Sequence, residues 1–224
     1  MEPITIVEGY HTDVRDDVDP YVPKTSGTLL DIGGGTGATA AHMKSLGLAA
    51  RVGVADQISS DAAEPGIDFH VSGNLDDEAF LAKVIADEGP FDTILCLDIL
   101  EHLVDPWRVV AQLHQALVPG GHIVASIPNV RHYRVSGGLF FRGRWRLADA
   151  GILDRTHLRF FVRETAIELM THTGLALDLV ETPPRMRHPR LAKALHRVAF
   201  GRLDSLVAVD YVVRVSRTDA PGAA

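Results

Sequence analysis

A short apolar run that ends in a glycine-rich loop constrains the fold of this chain more than any other feature. Residues 28–37 read Thr-Leu-Leu-Asp-Ile-Gly-Gly-Gly-Thr-Gly, and residues 38–43 follow as a predicted helix. A strand that turns through glycines into a helix directs backbone N–H groups and the positive end of the helix dipole toward a ligand. Glycine also allows positive φ and close approach of a ligand to the backbone. The pattern therefore predicts an α/β fold with a ligand site at this loop.

The spacing of the glycines distinguishes between two classes of nucleotide-binding loop. A dinucleotide-binding loop has the form Gly-x-Gly-x-x-Gly, whereas residues 31–37 read Asp-x-Gly-x-Gly-x-Gly. The next apolar run ends in Asp56, and a carboxylate at the end of a strand can accept two hydrogen bonds from a vicinal diol. The chain thereby resembles class I S-adenosylmethionine (SAM)-dependent methyltransferases. The resemblance continues through residues 68–74, 91–98 and 121–128.

The resemblance implies a set of cofactor-binding residues. Gly33, Gly35 and Gly37 would admit the methionine part of SAM next to Asp31, and Asp56 would hold the ribose hydroxyls. The remaining cofactor candidates are Gln57, Asn74, Leu75 and Leu97, with Ile58 beside the adenine. Asn74 stands where the family often has an aspartate near the adenine amine. A purely structural role is the alternative for Gln57, Ile58 and Asn74.

Alternating strand and helix patterns predict the rest of the fold. The predicted strands are residues 28–32, 51–55, 69–72, 93–97, 122–127, 175–181 and 206–216, and the predicted helices are 38–46, 76–87, 106–117 and 163–173. The nearly continuous apolar character of the first five strands indicates a parallel sheet buried on both faces. We expect a Rossmann-like α/β fold, with a seven-stranded, mostly parallel sheet, an antiparallel last strand, and helices on both faces.

Length and composition indicate a single domain over residues 1–224, which the resemblance implies is a methyltransferase domain. Within it we distinguish an N-terminal cap segment (1–25), an acceptor-side insertion (129–162) and a basic helical insertion (183–204). Cys96 lies in an apolar run and is expected to be a buried strand residue. A net charge of −7 argues against general affinity for nucleic acid. Without a leader-like start or an apolar run that could span a bilayer, a cytoplasmic protein is expected.

A second constellation of polar residues follows the fourth predicted strand. Asp98, Glu101 and His102 are spaced i, i+3 and i+4, so one helical turn would place them on a common face. His157 lies in a later apolar and aromatic run. Together they resemble the Glu-x-x-Glu-His plus distant His pattern of metal-dependent 2′-O-methyltransferases of small RNAs. Ubiquinone-biosynthesis O-methyltransferases carry a similar Glu-x-x-Glu-His segment.

This second resemblance implies a divalent cation held by Glu101, His102 and His157. Asp98, one methylene shorter than the family's glutamate, would lie near or in the ligand shell. Carboxylates suit Mg²⁺ or Mn²⁺ and imidazoles suit Zn²⁺, Co²⁺ or Ni²⁺, so the metal stays open. The alternatives are a metal-free general base at His102, since an unperturbed histidine pKa of about 6.5 suits that task, and a buried structural histidine at His157.

The acceptor would lie beneath the insertion at residues 129–162. Arginine and aromatic side chains there could stack on a sugar ring or pair with an anionic group. The acceptor-contact candidates are Arg131, His132, Tyr133 and Trp145, together with Tyr10 and His11 of the N-terminal segment. Residues 128–132 and 153–161 resemble a bacterial subgroup associated with glycan assembly, which implies a sugar hydroxyl as acceptor. The alternative is a solvated basic loop that packs through Trp145 and Phe140.

These observations predict methyl transfer from SAM to an oxygen of a small molecule, a sugar or saccharide. A phenolic or natural-product O- or N-methyltransferase is the alternative among enzymes, and a SAM-binding regulatory module is the alternative outside catalysis. The polar residues at 98–102 argue against the module, because such a module would not need them. Residues 185–202 predict a basic amphipathic helix that covers the sheet by default. Contact of that helix with an anionic membrane, or with a second copy of the chain in a homodimer, is left open.

Overall fold

A seven-stranded sheet forms the centre of the computed structural model, which describes residues 13–25, 27–183 and 204–218. The strands are β1 (Thr28–Ile32), β2 (Arg51–Asp56), β3 (Phe69–Ser72), β4 (Phe91–Leu97), β5 (Leu117–Pro128), β6 (Ala176–Glu181) and β7 (Asp210–Ser216). The α-helices of these ranges are α1 (Ala38–Ser45), α2 (Glu78–Glu88), α3 (Pro106–Ala116), α4 (Tyr133–Arg142) and α5 (Arg163–Thr171). None of the helices in the described ranges is long and apolar enough to cross a membrane.

The strand order, β3-β2-β1-β4-β5-β7-β6, fixes where a ligand can bind. β1 pairs in parallel with both β2 and β4, β2 with β3, and β4 with β5, whereas β7 is antiparallel to β5 and to β6. The direction of strand progression reverses between β1 and β4, and ligands of such sheets bind in the crevice at that point, outside the carboxyl ends of the strands. The Rossmann-like topology predicted from the sequence is confirmed.

Two apolar cores cover the two faces of the sheet. Successive residues of β1 point to opposite faces, so Leu29 lies in one core and Leu30 in the other. Met43 of α1 packs with Leu29, and Leu113 of α3 packs in the core of Leu30. Because both faces are covered by helices, β1 and β4 are nearly free of solvent contact and hold their carboxyl ends in fixed positions. Cys96 of β4 is fully buried, as predicted.

The fifth strand is longer than the sequence predicts. Residues 118–121 read as a turn, yet they lie inside β5, whose first residue Leu117 pairs with Phe91. The backbone N–H of Gly120 donates to the carbonyl of Arg217, and the N–H of Arg217 donates to the carbonyl of Gly121. These bonds, with a register shift beside Phe91, incorporate the turn residues into the sheet. By contrast, β7 begins only at Asp210, because residues 204–206 form a short 3-10 helix.

The acceptor-side insertion contains a helix, α4, that the sequence does not predict. Gly137 and Gly138 occupy its interior, and each glycine lowers helix propensity by about 1 kcal/mol relative to alanine, which weakens the helical signal. Nδ1 of His132 accepts a hydrogen bond from the backbone N–H of Arg134 and caps the first turn. Gly143, in the left-handed region at φ 57°, ends the helix.

A buried carboxyl group lies in β1, one residue before the strand ends. Asp31 is 2% exposed. Its carboxyl group lies against the glycine loop, so that a Cβ added at Gly34 would come within 2.5 Å of Oδ2. Burial, followed by the nearby charge of Asp56, raises the pKa of Asp31 to about 8, against an opposing effect of Arg15.

We expect an Asp31→Asn variant to lose stability less steeply than the wild type as the pH rises. In the folded protein the carboxyl group of Asp31 stays protonated up to its pKa of about 8, whereas its ordinary pKa, taken for the unfolded chain, is 3.8. Unfolding therefore releases a proton between these values, and the wild-type free energy of unfolding falls in that window by at most about 1.4 kcal/mol per pH unit. The asparagine variant has no proton to release.

Urea unfolding at about pH 5 and about pH 8 measures this difference. Asp149→Asn is the matched control, because the Asp149 side chain is 90% exposed and this variant should follow the wild type. An equal change in stability for wild type and Asp31→Asn would contradict a raised pKa at Asp31.

Candidate functional site

The loop between β1 and α1 has the backbone that its glycines predict. Gly33 has φ 74° and Gly37 has φ 98°, conformations that L side chains rarely adopt. A Cβ at Gly33 would also come within 2.5 Å of the Ile99 side chain, which follows β4. Gly37 stands at the N-cap of α1 and offers no side chain there. Glycine is therefore required at both positions of the loop.

Asp56 links the end of β2 to this loop. Its Oδ2 accepts a hydrogen bond from the N–H of Gly35 at 3.0 Å, and its Oδ1 accepts one from the N–H of Ile58 at 2.9 Å. Each carboxylate oxygen has a further lone pair, so these bonds leave capacity for a ligand hydroxyl. Asp56 is 7% exposed, whereas Gln57 beside it is exposed.

The other predicted cofactor residues lie at the ends of the neighbouring strands. Asn74 follows β3, and its Oδ1 accepts a hydrogen bond from the N–H of Asp76 at 3.0 Å, which stabilises the turn before α2. Leu75 is buried in the apolar core, and Leu97 is half-buried at the end of β4. The structure therefore gives Asn74 and Leu75 structural contacts of their own. Tyr10, His11 and residues 185–202 lie outside the described residues.

The segment after β4 departs from the single helical turn that the sequence predicts. Asp98 has φ 52°, an uncommon conformation for a residue other than glycine, and only Leu100–His102 form a short 3-10 helix. This backbone interrupts the predicted helical turn between Asp98 and the other two residues. The charge of Asp98 nevertheless acts on Glu101.

Asp98 instead pairs with Arg15 of the N-terminal segment. Its Oδ2 contacts the guanidinium group of Arg15, and its Oδ1 accepts a hydrogen bond from Oγ of Ser126 at 2.8 Å. Arg15 also binds Asp17 at 2.9 Å and lies 3.7 Å from Asp210. Burial, followed by the charge of Asp98, raises the pKa of Asp210 to about 7. No sequence pattern indicated Arg15, because the contact joins residues 83 positions apart.

Glu101, His102 and His157 come together across the crevice. Each offers one ligand atom, and these atoms lie within 4.8 Å of one another. Oε1 of Glu101 is 3.9 Å from Nε2 of His157, and the two imidazole rings meet edge to face with centroids 4.6 Å apart. The carbonyl of Glu101 accepts hydrogen bonds from the N–H groups of Leu158 and Arg159. These bonds hold the distant histidine segment against the end of β4.

Hydrogen bonds fix the orientation of both histidines. Nδ1 of His157 is 3.2 Å from the carbonyl of Ile152, and Nδ1 of His102 is 3.1 Å from Oγ1 of Thr156. Thr156 in turn donates to Asp154 at 2.7 Å, so its oxygen is free to accept the N–H of His102. With Nδ1 protonated in each ring, Nε2 keeps its lone pair. Burial, followed by the charge of His157, lowers the pKa of His102 and favours its neutral form.

The sequence prediction missed Thr156 and Asp154 as supporting residues. A threonine immediately before a candidate ligand, in the sequence Asp-Arg-Thr-His, was the available signal. Ligating histidines commonly donate their second ring N–H to such a partner.

The surroundings of the Glu101 carboxyl group indicate whether a cation fits this cluster. Glu101 is 1% exposed, and within the described residues neither of its carboxylate oxygens has a hydrogen-bond partner. Burial, followed by the charge of Asp98, raises the pKa of Glu101 well above its ordinary value. A buried polar group without a partner is costly, and a divalent cation between the carboxylate and the two Nε2 atoms would supply one. The donor set therefore fits a divalent cation.

Aromatic rings continue from His157 into the acceptor-side insertion. The ring of Phe160 is 6.4 Å from His157, and Trp145 meets Phe160 edge to face at 5.1 Å. Trp145 is therefore connected to the cluster through Phe160. Arg131 instead donates to Oγ of Ser205 at 2.7 Å.

His132 and Tyr133 pack against each other with ring centroids 4.5 Å apart. His132 is 3% exposed and caps α4, so the structure gives it a local contact as well as a position in the insertion.

Comparison with known proteins identifies the fold and the family. A family model described as a methyltransferase domain matches residues 7–180. A ubiquinone biosynthesis O-methyltransferase of Burkholderia pseudomallei is 27% identical over 176 residues, which cover 71% of this chain and 72% of that protein. The chain matches other relatives with the same name, including one from Paraburkholderia xenovorans, over about half of their length.

Solved structures share the fold at low identity. A SAM-dependent methyltransferase from Archaeoglobus fulgidus has a TM-score of 0.58 and 16% identity, with 88% of each chain covered. A Burkholderia thailandensis 1,6-didemethyltoxoflavin-N1-methyltransferase, solved with its substrate and S-adenosylhomocysteine, has a TM-score of 0.53 and 17% identity, covering 87% of this chain and 72% of that one. With a matching family model over most of its length, this chain belongs to the class I SAM-dependent methyltransferases.

Proposed function

We propose that this methyltransferase transfers a methyl group to a hydroxyl oxygen of a small molecule, with a divalent cation held by Glu101, His102 and His157. The observation that carries the proposal is the buried, unpartnered carboxylate of Glu101 facing two histidines whose Nδ1 atoms are bonded elsewhere. This arrangement suits an oxygen acceptor, because a bound cation would lower the pKa of a coordinated hydroxyl as it does that of bound water.

The cofactor would bind along the crevice between β1 and β4. Gly33, Gly35 and Gly37 would lie against the methionine part, and Asp56 would accept hydrogen bonds from the ribose hydroxyls. Asp31, Gln57, Asn74, Leu75 and Leu97 would line the remainder. The support is the positive φ of Gly33 and Gly37, where glycine is required, and the remaining lone pairs of Asp56.

The chain's own residues would act by positioning and by proton removal. SAM supplies an electrophilic methyl group when bound, so the protein has to align the acceptor oxygen with it. Such alignment can lower a barrier by about 7–11 kcal/mol in well-oriented systems. Asp98 would remain paired with Arg15 at the crevice. Its left-handed backbone would direct Glu101 and His102 toward the acceptor. Without a cation, neutral His102 would itself serve as the general base.

A sugar or saccharide is the acceptor class that we propose first. Trp145 and Phe160 form an edge-to-face pair beside His157, and the exposed ring of Trp145 offers an apolar face on which a sugar can lie. Arg131, His132, Tyr133 and the N-terminal residues Tyr10 and His11 would complete the acceptor side.

A phenolic acceptor is the second candidate. The relatives named ubiquinone biosynthesis O-methyltransferase favour it. An aromatic acceptor ring would use the same stacking face of Trp145.

We expect Asp56→Ala to weaken SAM binding by about 1.5–3 kcal/mol, the contribution of a hydrogen bond to a charged group. Isothermal titration calorimetry with SAM measures the change. Because Asp56 also binds the glycine loop, Asp56→Asn is the companion variant: it retains one acceptor oxygen and should bind SAM with intermediate affinity. Asp61→Ala, at an exposed acid nearby, should bind SAM as the wild type does. Unchanged affinity in Asp56→Ala would contradict the ribose assignment.

We expect His157→Ala to abolish stoichiometric binding of divalent metal while leaving SAM bound. Thr156→Val should weaken metal binding by about 10–100-fold, because loss of a supporting hydrogen bond to a ligating histidine has that effect. Metal analysis after dialysis and titration with Mn²⁺ measure both. His122→Ala is the control, because His122 lies in the middle of β5, away from the carboxyl end of the strand, and pairs with Asp178. Full turnover in the presence of a chelator would assign His102 as a metal-free base instead.

We expect transfer of a labelled methyl group to saccharides to exceed transfer to catechols and other phenols. Trp145→Ala should raise the acceptor KM by about 2- to 12-fold, the scale of one aromatic contact, with unchanged SAM affinity. Trp145→Phe should restore most of the loss. Turnover confined to phenols would establish the second candidate, and failure of every hydroxyl acceptor would contradict O-methylation itself.

A further inference from the structure

A continuous apolar surface is exposed at the end of α4. Phe140 and Phe141 are 82% and 81% exposed, and they pack only edge to face on each other, at 4.9 Å, among the aromatic contacts of the described residues. Leu139 and Leu147 are about half exposed. We call residues 139–147 the α4 tip. An exposed pair of phenylalanines flanked by leucines is typical of an interaction surface rather than of a solvated loop.

Arginines alternate with these apolar side chains. Arg142, Arg144 and Arg146 are all exposed, and in the described part of the chain none of them forms an ion pair. The nearby acid, Asp149, is paired with Arg155 at 2.5 Å. The α4 tip therefore carries a local positive charge on a chain whose net charge is −7.

We propose that the α4 tip docks on the surface of an anionic lipid bilayer. Aromatic and leucine side chains lie at the boundary between headgroups and acyl chains, and arginines beside them interact with lipid phosphates. Phe140 and Phe141 are followed at once by Arg142 and Arg144, so the last turn of α4 and the residues after it supply both kinds of contact.

Two features of the α4 tip favour a membrane over other partners. A two-fold dimer through this surface would bring the arginine clusters of both copies together, since a two-fold interface joins identical surfaces. Stacking of a nucleic-acid base would cover a phenylalanine ring but would leave the half-exposed Leu139 and Leu147 in water. A lipid surface satisfies the arginines and the apolar side chains together.

Sedimentation with lipid vesicles tests the proposal on the full chain. We expect binding to vesicles that contain phosphatidylglycerol, little binding to pure phosphatidylcholine, and release by salt, because the charge interaction is screened. Phe140→Ser combined with Phe141→Ser should abolish binding. Arg142→Gln combined with Arg144→Gln should weaken it about 25-fold, at about fivefold per arginine.

Matched variants separate this surface from general effects. Leu46→Ser with Leu177→Ser changes two other exposed apolar residues, and Lys44→Gln with Lys83→Gln changes the net charge equally, so both should bind vesicles like the wild type. In a Trp107→Phe background, Trp145 becomes the only tryptophan, and its fluorescence should shift to shorter wavelength on anionic vesicles. SAM affinity, measured in parallel, verifies that each variant is folded.

Three outcomes would overturn the proposal. The first is absence of wild-type binding to anionic vesicles at low salt. The second is equal binding by the phenylalanine pair and its control. The third is a different occupant of the α4 tip. Analytical ultracentrifugation would show a dimer that these variants disrupt, or an RNA oligonucleotide would displace the vesicles.

Discussion

The reversal of strand order between β1 and β4 is the constraint on which the rest of the structure depends. It opens a crevice at the carboxyl ends of both strands, and three parts of the candidate site are attached to that edge. The glycine loop follows β1, Asp56 ends β2, and Asp98 follows β4. Because both faces of the sheet are packed with apolar side chains, these groups have fixed backbone positions before any ligand binds.

The acidic residues around the crevice form two groups that differ in their partners. In one group, Arg15 is surrounded by Asp17, Asp98 and Asp210, so the charges there are compensated by a residue of the N-terminal segment. In the other group, the carboxyl group of Glu101 is buried without a hydrogen-bond partner among the described residues. Asp98 connects the two groups, because its charge also acts on Glu101. The acids paired with Arg15 stabilise the structure of the crevice. The carboxyl group of Glu101, which has no such partner, is suited to binding a cation.

Local patterns were sufficient for most of the fold. The apolar runs of the first four strands, the glycines at 33, 35 and 37, and the Asp105-Pro106 start of α3 all specify their structures through neighbouring residues. The extent of β5 and the existence of α4 could not be predicted in this way. Residues 118–121 become part of a strand through bonds to Arg217. Two interior glycines weaken the local helical signal of α4, which nevertheless forms with His132 as its N-cap.

The sequence by itself determined the strand–loop–helix unit, the order of elements and the candidates Glu101, His102 and His157, because spacing and side-chain chemistry are local properties. Only the tertiary structure decided which polar residues meet. It joined His157 to Glu101 through backbone bonds from Leu158 and Arg159, and it turned Asp98 toward Arg15. It also left Phe140 and Phe141 exposed. Contacts between residues far apart in the chain depend on how the strands are ordered, which no local pattern encodes.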